Sequence, residues 1–120
     1  MKLWKQVKNR LKKHHPTTPL WNDCDEALIG TAEVYREKEW VTVALYDYEE
    51  LVNIFHKDFR ESLEQEENPD LESDPHTDAI EWVDYNIVGA YIGKKTPVYF
   101  SEQQITGMIN TNTKQNYYTQ

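Results

Sequence analysis

The segment WVTVALYDYEELVNIF, residues 40–55, decides the fold because its periodicity changes midway from that of a strand to that of a helix. Residues 40–46 are β-branched, aromatic or small, a composition typical of strands. Successive side chains of a strand point to opposite faces, and here both sets are largely apolar, so we expect both faces of the sheet to be at least partly covered. Asp47 then fits a helix N-cap, and Glu50 three residues later completes a capping box.

The helix that follows Asp47 is the clearest one in the sequence. Its apolar residues recur every three or four positions, so that they line one face of the helix. This face is predicted to pack on the sheet, whereas His56 and Lys57 face water. The apolar positions are Leu51, Val52, Ile54, Phe55, Phe59 and Leu63.

The flanking segments complete an α+β fold. Residues 27–35 (ALIGTAEVY) form another strand-like run, and the polar residues 36–39 (REKE) between the two runs indicate a β-hairpin. Residues 74–75 (DP) supply a cap and a first-turn proline for a second helix, which ends near Gly89. A short strand at 97–100 is expected to pair with the hairpin edge. The prediction is a three-stranded antiparallel sheet packed by two helices, plus an N-terminal basic amphipathic helix.

The two ends of the chain differ in composition from its middle. In residues 1–15, apolar side chains recur at helical spacing among six lysines and arginines, and two prolines follow. We expect this helix, within an arm and linker of residues 1–19, to dock on its own acidic body or on another copy rather than on membrane or phosphate. Residues 20–100 form a single α+β domain, with a solvated acidic loop at 64–74. The polar residues 101–120 are expected to be a mobile tail.

Charge and composition exclude several classes of protein. The 120 residues carry a net charge of −8, but residues 1–15 contain six bases and no acid, so the remainder carries −14. Such a body would repel nucleic acid, and we expect it not to bind nucleic acid directly; solubility is the favoured explanation of its charge. Because Cys24 is the sole cysteine, an intramolecular disulfide and a paired-cysteine zinc site are excluded. No apolar run reaches the roughly 18–20 residues of a membrane span, and no signal-peptide pattern is present, so we expect a cytoplasmic protein.

The segment 85–97 (YNIVGAYIGKKTP) is the strongest candidate for a ligand-binding site. Glycines allow a ligand to approach the backbone, tyrosines stack on flat ligands, and an asparagine offers a donor and an acceptor, a combination that suits a nucleotide-like molecule. A structural interpretation is somewhat favoured, with Gly89 as a helix C-cap, Gly93 in a turn, Asn86 as a buried amide and the tyrosines in the core. The candidate ligand-binding residues are Tyr85, Asn86, Gly89, Tyr91, Gly93, Lys94, Lys95 and Thr96.

A set of aromatic residues on or beside the predicted sheet is a candidate protein interface. Aromatic side chains contribute disproportionately to binding hot spots, although core packing accounts for these residues equally well. The candidate partner-binding residues are Trp40, Tyr46, Tyr48 and Trp82.

The remaining polar residues form no catalytic or metal-binding pattern. Asp47 has a capping role, and Glu49, Glu81 and Asp84 lie on faces expected to meet solvent. The four histidines are scattered over the arm, an exposed helix face and a helix start, without the i, i+4 spacing of a metal-binding pair. We therefore expect a protein that is not an enzyme and has no catalytic residues, no cofactor and no bound metal.

Three blocks of the chain are distinctive: DEALIG at 25–30, VALYDYEELVNIF at 43–55 and EWVDYNIVGAYIGKKTPVYF at 81–100. They resemble a family of small, functionally uncharacterised proteins encoded by bacteriophages and prophages. The resemblance covers residues 25–100, about two thirds of the chain. The chain departs from the family in its basic arm, its polar tail and the acidic insert at 64–74, where similar proteins have a short turn.

The resemblance implies a viral origin and a role directed at a host component. With no catalytic pattern present, we expect a non-enzymatic accessory protein that binds and neutralises a host protein or a nucleotide-like signal, as in counter-defence, in the host cytoplasm. Self-association is a further expectation. One alternative is an acidic mimic of nucleic acid that blocks a host DNA-binding protein. Another is a small enzyme whose site assembles from residues that look structural in the sequence.

Overall fold

Residues 2–65, 74–101, 105–106 and 118–119 are described by the structure, a computed structural model. Within them the helices are α1 (Leu3–His14), α2 (Tyr48–Glu64) and α3 (Pro75–Val83), with a short 3₁₀ turn at Asp25–Ala27 and a π turn at Asp84–Val88. The strands are β1 (Leu28–Arg36), β2 (Glu39–Asp47), β3 (Val98–Phe100), β4 (Ile105–Thr106) and β5 (Tyr118–Thr119). The predicted α+β class is confirmed.

The strands form one mixed sheet in the order β4-β3-β2-β1-β5. β1 and β2 are the predicted hairpin, and Glu37 and Lys38 in its turn have left-handed φ angles of 49° and 68°, as a two-residue type I′ turn requires. β3 pairs with β2, but in parallel, with Leu45 opposite Val98. The prediction of a purely antiparallel sheet is therefore wrong. Two helices separate β2 from β3, and such a crossover returns the chain in the same direction.

Both helices of this crossover begin with the predicted side-chain caps. The carboxylate of Asp47 accepts hydrogen bonds from the backbone N–H groups of Glu49 and Glu50 at 3.0 and 3.4 Å. The carboxylate of Asp74 accepts one from the N–H of His76 at 3.1 Å. These bonds satisfy donors that have no partner within a helix, and they fix where α2 and α3 start.

Apolar side chains are buried on both faces of the sheet, as predicted from the strand periodicity. The helices pack on one face, where the core comprises Leu11, Cys24, Ala27, Leu28, Ala44, Tyr46, Leu51, Val52, Ala79, Val83, Ile87 and Tyr99. The buried residues of the opposite face are Ala32, Val34, Val41, Val43, Leu45 and Val98. β2 contributes to both clusters, which makes it the central element of the fold.

The basic helix α1 docks on its own body. Leu11 is buried in the helix-side core, and Trp4 and Val7 pack against it. The ammonium group of Lys8 forms an ion pair with Asp25 at 2.8 Å. The apolar face of α1 is therefore occupied within the chain, in agreement with the expected self-docking.

Two parts of the predicted tail belong to the sheet. Ile105–Thr106 pairs with β3, and Tyr118–Thr119 pairs with β1, both antiparallel. The expected mobility of the rest of the tail, and most of the expected acidic loop, concern positions outside the described residues. The three-part division of the chain stays a prediction.

Replacing Leu51, which is fully buried in the helix-side core, by alanine is expected to lower the free energy of unfolding by about 2–5 kcal/mol, because it leaves a cavity under α2. Equilibrium urea unfolding measures this change. The matched control is Leu3→Ala on α1, since Leu3 is 56% exposed, and its expected effect is within about 0.5 kcal/mol. Equal losses for the two variants would contradict the assigned core.

Candidate functional site

The buried side chain of Arg36 holds the candidate ligand-binding segment through hydrogen bonds. Its guanidinium donates hydrogen bonds to the backbone carbonyls of Lys94 and Thr96, at 2.9 and 2.7 Å. Burial lowers the pKa of Arg36, and the nearby Tyr91 and Tyr99 partly oppose this shift. The side chain thus fixes the loop of residues 90–97, called the brace loop below, against the hairpin.

Inside the brace loop, Thr96 closes a tight turn. Its hydroxyl accepts a hydrogen bond from the N–H of Ile92 at 2.9 Å and donates one to the carbonyl of Gly93 at 2.5 Å. Gly93 has a φ of 117°, a conformation that residues with a Cβ rarely adopt. The glycine and the threonine are both required by the turn itself, in agreement with the structural interpretation of Gly93.

Both lysines of the brace loop contact other parts of the chain. The ammonium group of Lys94 pairs with Glu39 at 2.5 Å, and this hydrogen bond raises the pKa of Lys94. The ammonium group of Lys95 donates to the hydroxyl of Thr17 at 2.7 Å. The loop is therefore tied to the hairpin on one side and to the linker after α1 on the other.

The first part of the candidate site, residues 85–89, lies in and just after the π turn. The predicted helix continues to Gly89, whereas α3 ends at Val83 and the π turn follows. The N–H of Gly89 donates to the carbonyl of Asp84 at 2.9 Å, and a Cβ at Gly89 would lie only 3.0 Å from the same oxygen. Gly89 is the C-cap of the π turn, in agreement with its structural interpretation, and because its φ is −79°, close packing of the backbone rather than a left-handed conformation explains the glycine.

Two residues of the π turn differ from their structural interpretation. Tyr85 is 84% exposed and does not belong to the core. Asn86 is also exposed, and its side-chain amide donates to the carbonyl of Trp82 at 3.1 Å. The interpretation of Tyr85 as a core aromatic and of Asn86 as a buried amide is therefore wrong, and so is that of Tyr91 as a core aromatic, since Tyr91 is 69% exposed.

Two of the four candidate partner-binding residues have internal roles. Tyr46 is fully buried, and its hydroxyl accepts a hydrogen bond from the backbone N–H of Trp21 at 2.9 Å, so it is not available as an interface residue. Tyr48 is half-buried, and its hydroxyl donates to the carboxylate of Asp84 at 2.6 Å. Burial, followed by the bond to Asp84, raises the pKa of Tyr48 to about 12.

Trp82 is partly structural as well. It is 40% exposed, and its ring lies 4.4 Å from that of Phe55 and 6.5 Å from that of Phe59, measured between centroids. Its indole therefore joins α3 to α2. The exposed fraction leaves only an edge of the ring for a partner.

Trp40, the fourth candidate, is 49% exposed at the far end of the hairpin. Its ring meets that of Tyr35 edge to face, with centroids 5.5 Å apart, and Tyr35 is itself 37% exposed. Tyr91 and Ile92 of the brace loop are also exposed, at 69% and 47%, and the hydroxyl of Tyr91 donates to Glu37 in the hairpin turn at 3.3 Å. We call Tyr35, Trp40, Tyr91 and Ile92 the hairpin-tip surface.

Sequence reasoning missed Tyr35 as a member of this surface, although a signal was present. The two-residue turn at positions 37 and 38 places Tyr35 directly opposite Trp40. Counting outward from the REKE turn would have paired the two aromatic residues on one face.

The single thiol is poorly suited to nucleophilic chemistry. Cys24 is buried, and this burial raises its pKa to about 11, with smaller contributions from the carboxylates of Asp23, Asp25 and Asp58. The thiol is therefore protonated at neutral pH, whereas reactive cysteines have a lowered pKa.

Acidic side chains concentrate beside α1. An open cleft of about 520 Å³ lies between α1, the 3₁₀ turn and α2, and Trp4 and Ile54 form its apolar part. The carboxylates that line it are Asp23, Asp25, Glu26, Asp58 and Glu61. Lys57 lines the same cleft and Lys8 pairs with Asp25, so part of this negative charge is balanced.

Comparison with known proteins found no matching family model, no matching curated protein and no matching solved structure. Among the described residues, no helix is long and apolar enough to cross a membrane. The hairpin-tip surface and the brace loop are therefore the features from which a function is inferred.

Replacing Arg36 by methionine keeps most of the side-chain volume but removes the donors to the carbonyls of Lys94 and Thr96. We expect the free energy of unfolding to fall by about 2–3 kcal/mol, because two carbonyls lose charged donors. Hydrogen exchange of the amides in the brace loop should accelerate as well. The control is Arg60→Met at an exposed position of α2, which should change neither quantity. Unchanged exchange at Ile92 in the Arg36 variant would contradict the bracing role.

The tyrosine pKa shifts make stability depend on alkaline pH. The folded state raises the pKa of Tyr48 from 10 to about 12, so its stabilising contribution is complete below pH 10 and is lost as the pH rises towards 12. Urea unfolding at pH 8, 10 and 11 should therefore show a steeper loss of stability for the wild type than for Tyr48→Phe. Parallel curves for the two proteins would exclude a shifted Tyr48.

Proposed function

We propose that the chain is a non-enzymatic binding protein of viral origin, which captures and neutralises a host protein in the host cytoplasm through the hairpin-tip surface. The observation that carries this proposal is the edge-to-face pair of Tyr35 and Trp40, left 37% and 49% exposed at the end of the sheet. Tryptophan and tyrosine dominate binding hot spots. The viral origin is supported by the resemblance of the three sequence blocks to phage and prophage proteins.

The aromatic pair is held in place before any partner arrives. Tyr35 and Trp40 occupy paired positions of a regular hairpin, and their rings contact each other at 5.5 Å. Side chains that are ordered in advance lose little conformational entropy on binding. The brace loop adds Tyr91 to the same end of the hairpin through its hydrogen bond to Glu37.

The charges around the tip indicate the kind of partner. Glu33 and Glu37 are exposed next to the aromatic pair, as is Lys38, whereas Glu39 pairs with Lys94. An interface of this composition has an apolar centre and a charged rim, in which the carboxylates of Glu33 and Glu37 suit basic groups of a partner. The negative charge of the body would also accelerate encounter with a basic partner.

A protein partner is favoured over a nucleotide-like ligand at residues 85–96. The polar groups best suited to phosphate, those of Lys94, Lys95 and Thr96, already bind Glu39, Thr17 and the loop backbone. A ligand would have to displace these contacts. At the hairpin tip, by contrast, a partner can pack on the exposed parts of the Tyr35 and Trp40 rings, which are 37% and 49% exposed.

Site-specific photocrosslinking tests the proposal. With p-benzoylphenylalanine in place of Tyr91, at the margin of the surface, we expect a crosslink to one host protein in infected or transformed host cells. Adding Trp40→Ala should weaken binding of that protein at least about tenfold, because hot-spot aromatics contribute more than the 1.4 kcal/mol that a factor of ten requires. Binding is measured with the purified partner, and thermal unfolding confirms that each variant is folded.

The matched control is Tyr85→Ala, since Tyr85 is an exposed aromatic residue of the π turn. This variant should bind the partner as the wild type does. Equal loss in both variants, or none in Trp40→Ala, would refute the hairpin-tip surface as the interface. Loss of binding between 0.1 and 0.5 M salt in all variants would instead favour the acidic-mimic alternative, because contacts between carboxylates and basic groups weaken steeply with salt.

A further inference from the structure

Two histidines that are twenty positions apart in the sequence face each other across the α2–α3 contact. His56 lies on α2 and is partly buried, whereas His76 lies in the first turn of α3 and is exposed. Their ring centroids are 5.2 Å apart, with the planes inclined at 66°. The scattered spacing of the histidines in the sequence gave no indication of this pair.

The separation of the rings is the one that a shared metal ion would require. A ring nitrogen that binds zinc at about 2.0–2.1 Å places the ring centroid roughly 3.2 Å from the ion, so two rings at a tetrahedral angle have centroids about 5.2 Å apart. The observed centroid distance of 5.2 Å agrees with this value. Rotation of each ring about its Cβ–Cγ bond leaves the ring centroid nearly in place, so the two rings can turn a nitrogen towards one ion while keeping the 5.2 Å separation.

We propose that His56 and His76 together bind one divalent transition-metal ion and so link α2 to α3. Imidazole is a suitable ligand for Cu²⁺, Ni²⁺ and Zn²⁺. Of these three ions, Cu²⁺ is expected to bind most tightly. The described residues contain no group of three or more histidine, cysteine, aspartate or glutamate side chains placed to hold a metal. Water completes the coordination of the ion, and the site binds less tightly than a structural zinc centre.

The surroundings of the pair affect its affinity in opposite directions. Arg60 lies one turn after His56 on α2, where its charge opposes a cation, because residues four apart share a helix face. Asp74 caps α3 through the N–H of His76 and places a carboxylate next to the second ligand. Arg60→Gln should therefore strengthen metal binding, and this variant leaves both histidines in place.

A metal at this position stabilises the folded chain. The two histidines are close together only in the folded chain, so the ion binds the native state. By mass action, this binding raises the free energy of unfolding. This inference does not depend on the hairpin-tip surface, which lies on another part of the molecule. The metal site and the partner interface can therefore be tested separately.

Titration of the full chain with CuCl₂ and ZnCl₂ tests the proposal by calorimetry and thermal unfolding. We expect one strong site per chain and a rise in Tm of about 5 °C or more when the free ion is at 100 times Kd. His56→Gln and His76→Gln should each weaken binding at least tenfold and, at the same free-ion concentration, cut the rise to about half or less. For Cu²⁺, electron paramagnetic resonance should show two nitrogen ligands in the wild type and one in either variant.

The matched control is the double variant His14→Gln, His15→Gln, which removes two histidines at the end of α1. His14 is the last residue of α1 and His15 is its C-cap, so neither belongs to the α2–α3 contact, and this variant should keep the strong site. Loss of the site in the α1 variant, retention of it in His56→Gln and His76→Gln, or an unchanged Tm of the wild type at saturating metal would each overturn the proposal.

Discussion

Two buried phenols, those of Tyr46 and Tyr99, connect every layer of the fold. Their rings are stacked on neighbouring strands with centroids 6.3 Å apart. The hydroxyl of Tyr46 accepts from the backbone N–H of Trp21, and that of Tyr99 accepts from the indole of the same tryptophan and donates to the carbonyl of Ile87. Trp21 is thereby bound to β2 and β3, and Tyr99 connects β3 to the π turn. Because an unpaired buried hydroxyl costs about 1–3 kcal/mol, each of these groups holds the others in position.

The same division of roles extends to the surface. Polar residues of the brace loop hold the chain together, through the donors of Arg36 below it and the lysine contacts on either side. The aromatic residues of the hairpin-tip surface, in contrast, keep a large part of each ring exposed to solvent. Among the candidate binding residues, the lysines and Thr96 of the brace loop have contacts within the chain, Tyr46 is buried, and Trp40 keeps an exposed ring that a partner can contact.

Local signals in the sequence account for what sequence reasoning predicted well. The hairpin, the start of α2 at Asp47 and the start of α3 at Asp74 each depend on residues within one or two turns of chain, and all are confirmed. The direction of β3 depends on a crossover of two helices, and the change from α to π hydrogen bonding after Val83 depends on the backbone of residues 84–89. Residue type indicated the helix end at Gly89, but neither the strand direction nor the π turn. The sequence was thus informative where structure is local.

For the candidate site, too, the sequence predicted local features but not contacts between distant segments. Residue types correctly marked Gly93 as a turn residue, because turn geometry is an intrinsic property. Trp40 is 49% exposed, and its role as an interface residue stays a prediction. The partners of Lys94 and Lys95, and the approach of His56 to His76, come from chain segments that are far apart. Such pairings are set by the tertiary fold. Exposure alone separated Tyr46, which is buried, from Trp40, which is not.

The parallel pairing of β2 and β3 also has a consequence for how the chain folds and how it tolerates insertions. Leu45 and Val98 meet across 53 positions of sequence, so β3 can join only after a long loop closes, whereas the hairpin forms from adjacent residues. The entropy of closing a loop grows slowly, by about 0.6 kcal/mol for each doubling of its length. Adding several acidic residues between α2 and α3 therefore costs this topology little. The crossover is the place where a chain of this fold can vary in length and leave the strand register unchanged.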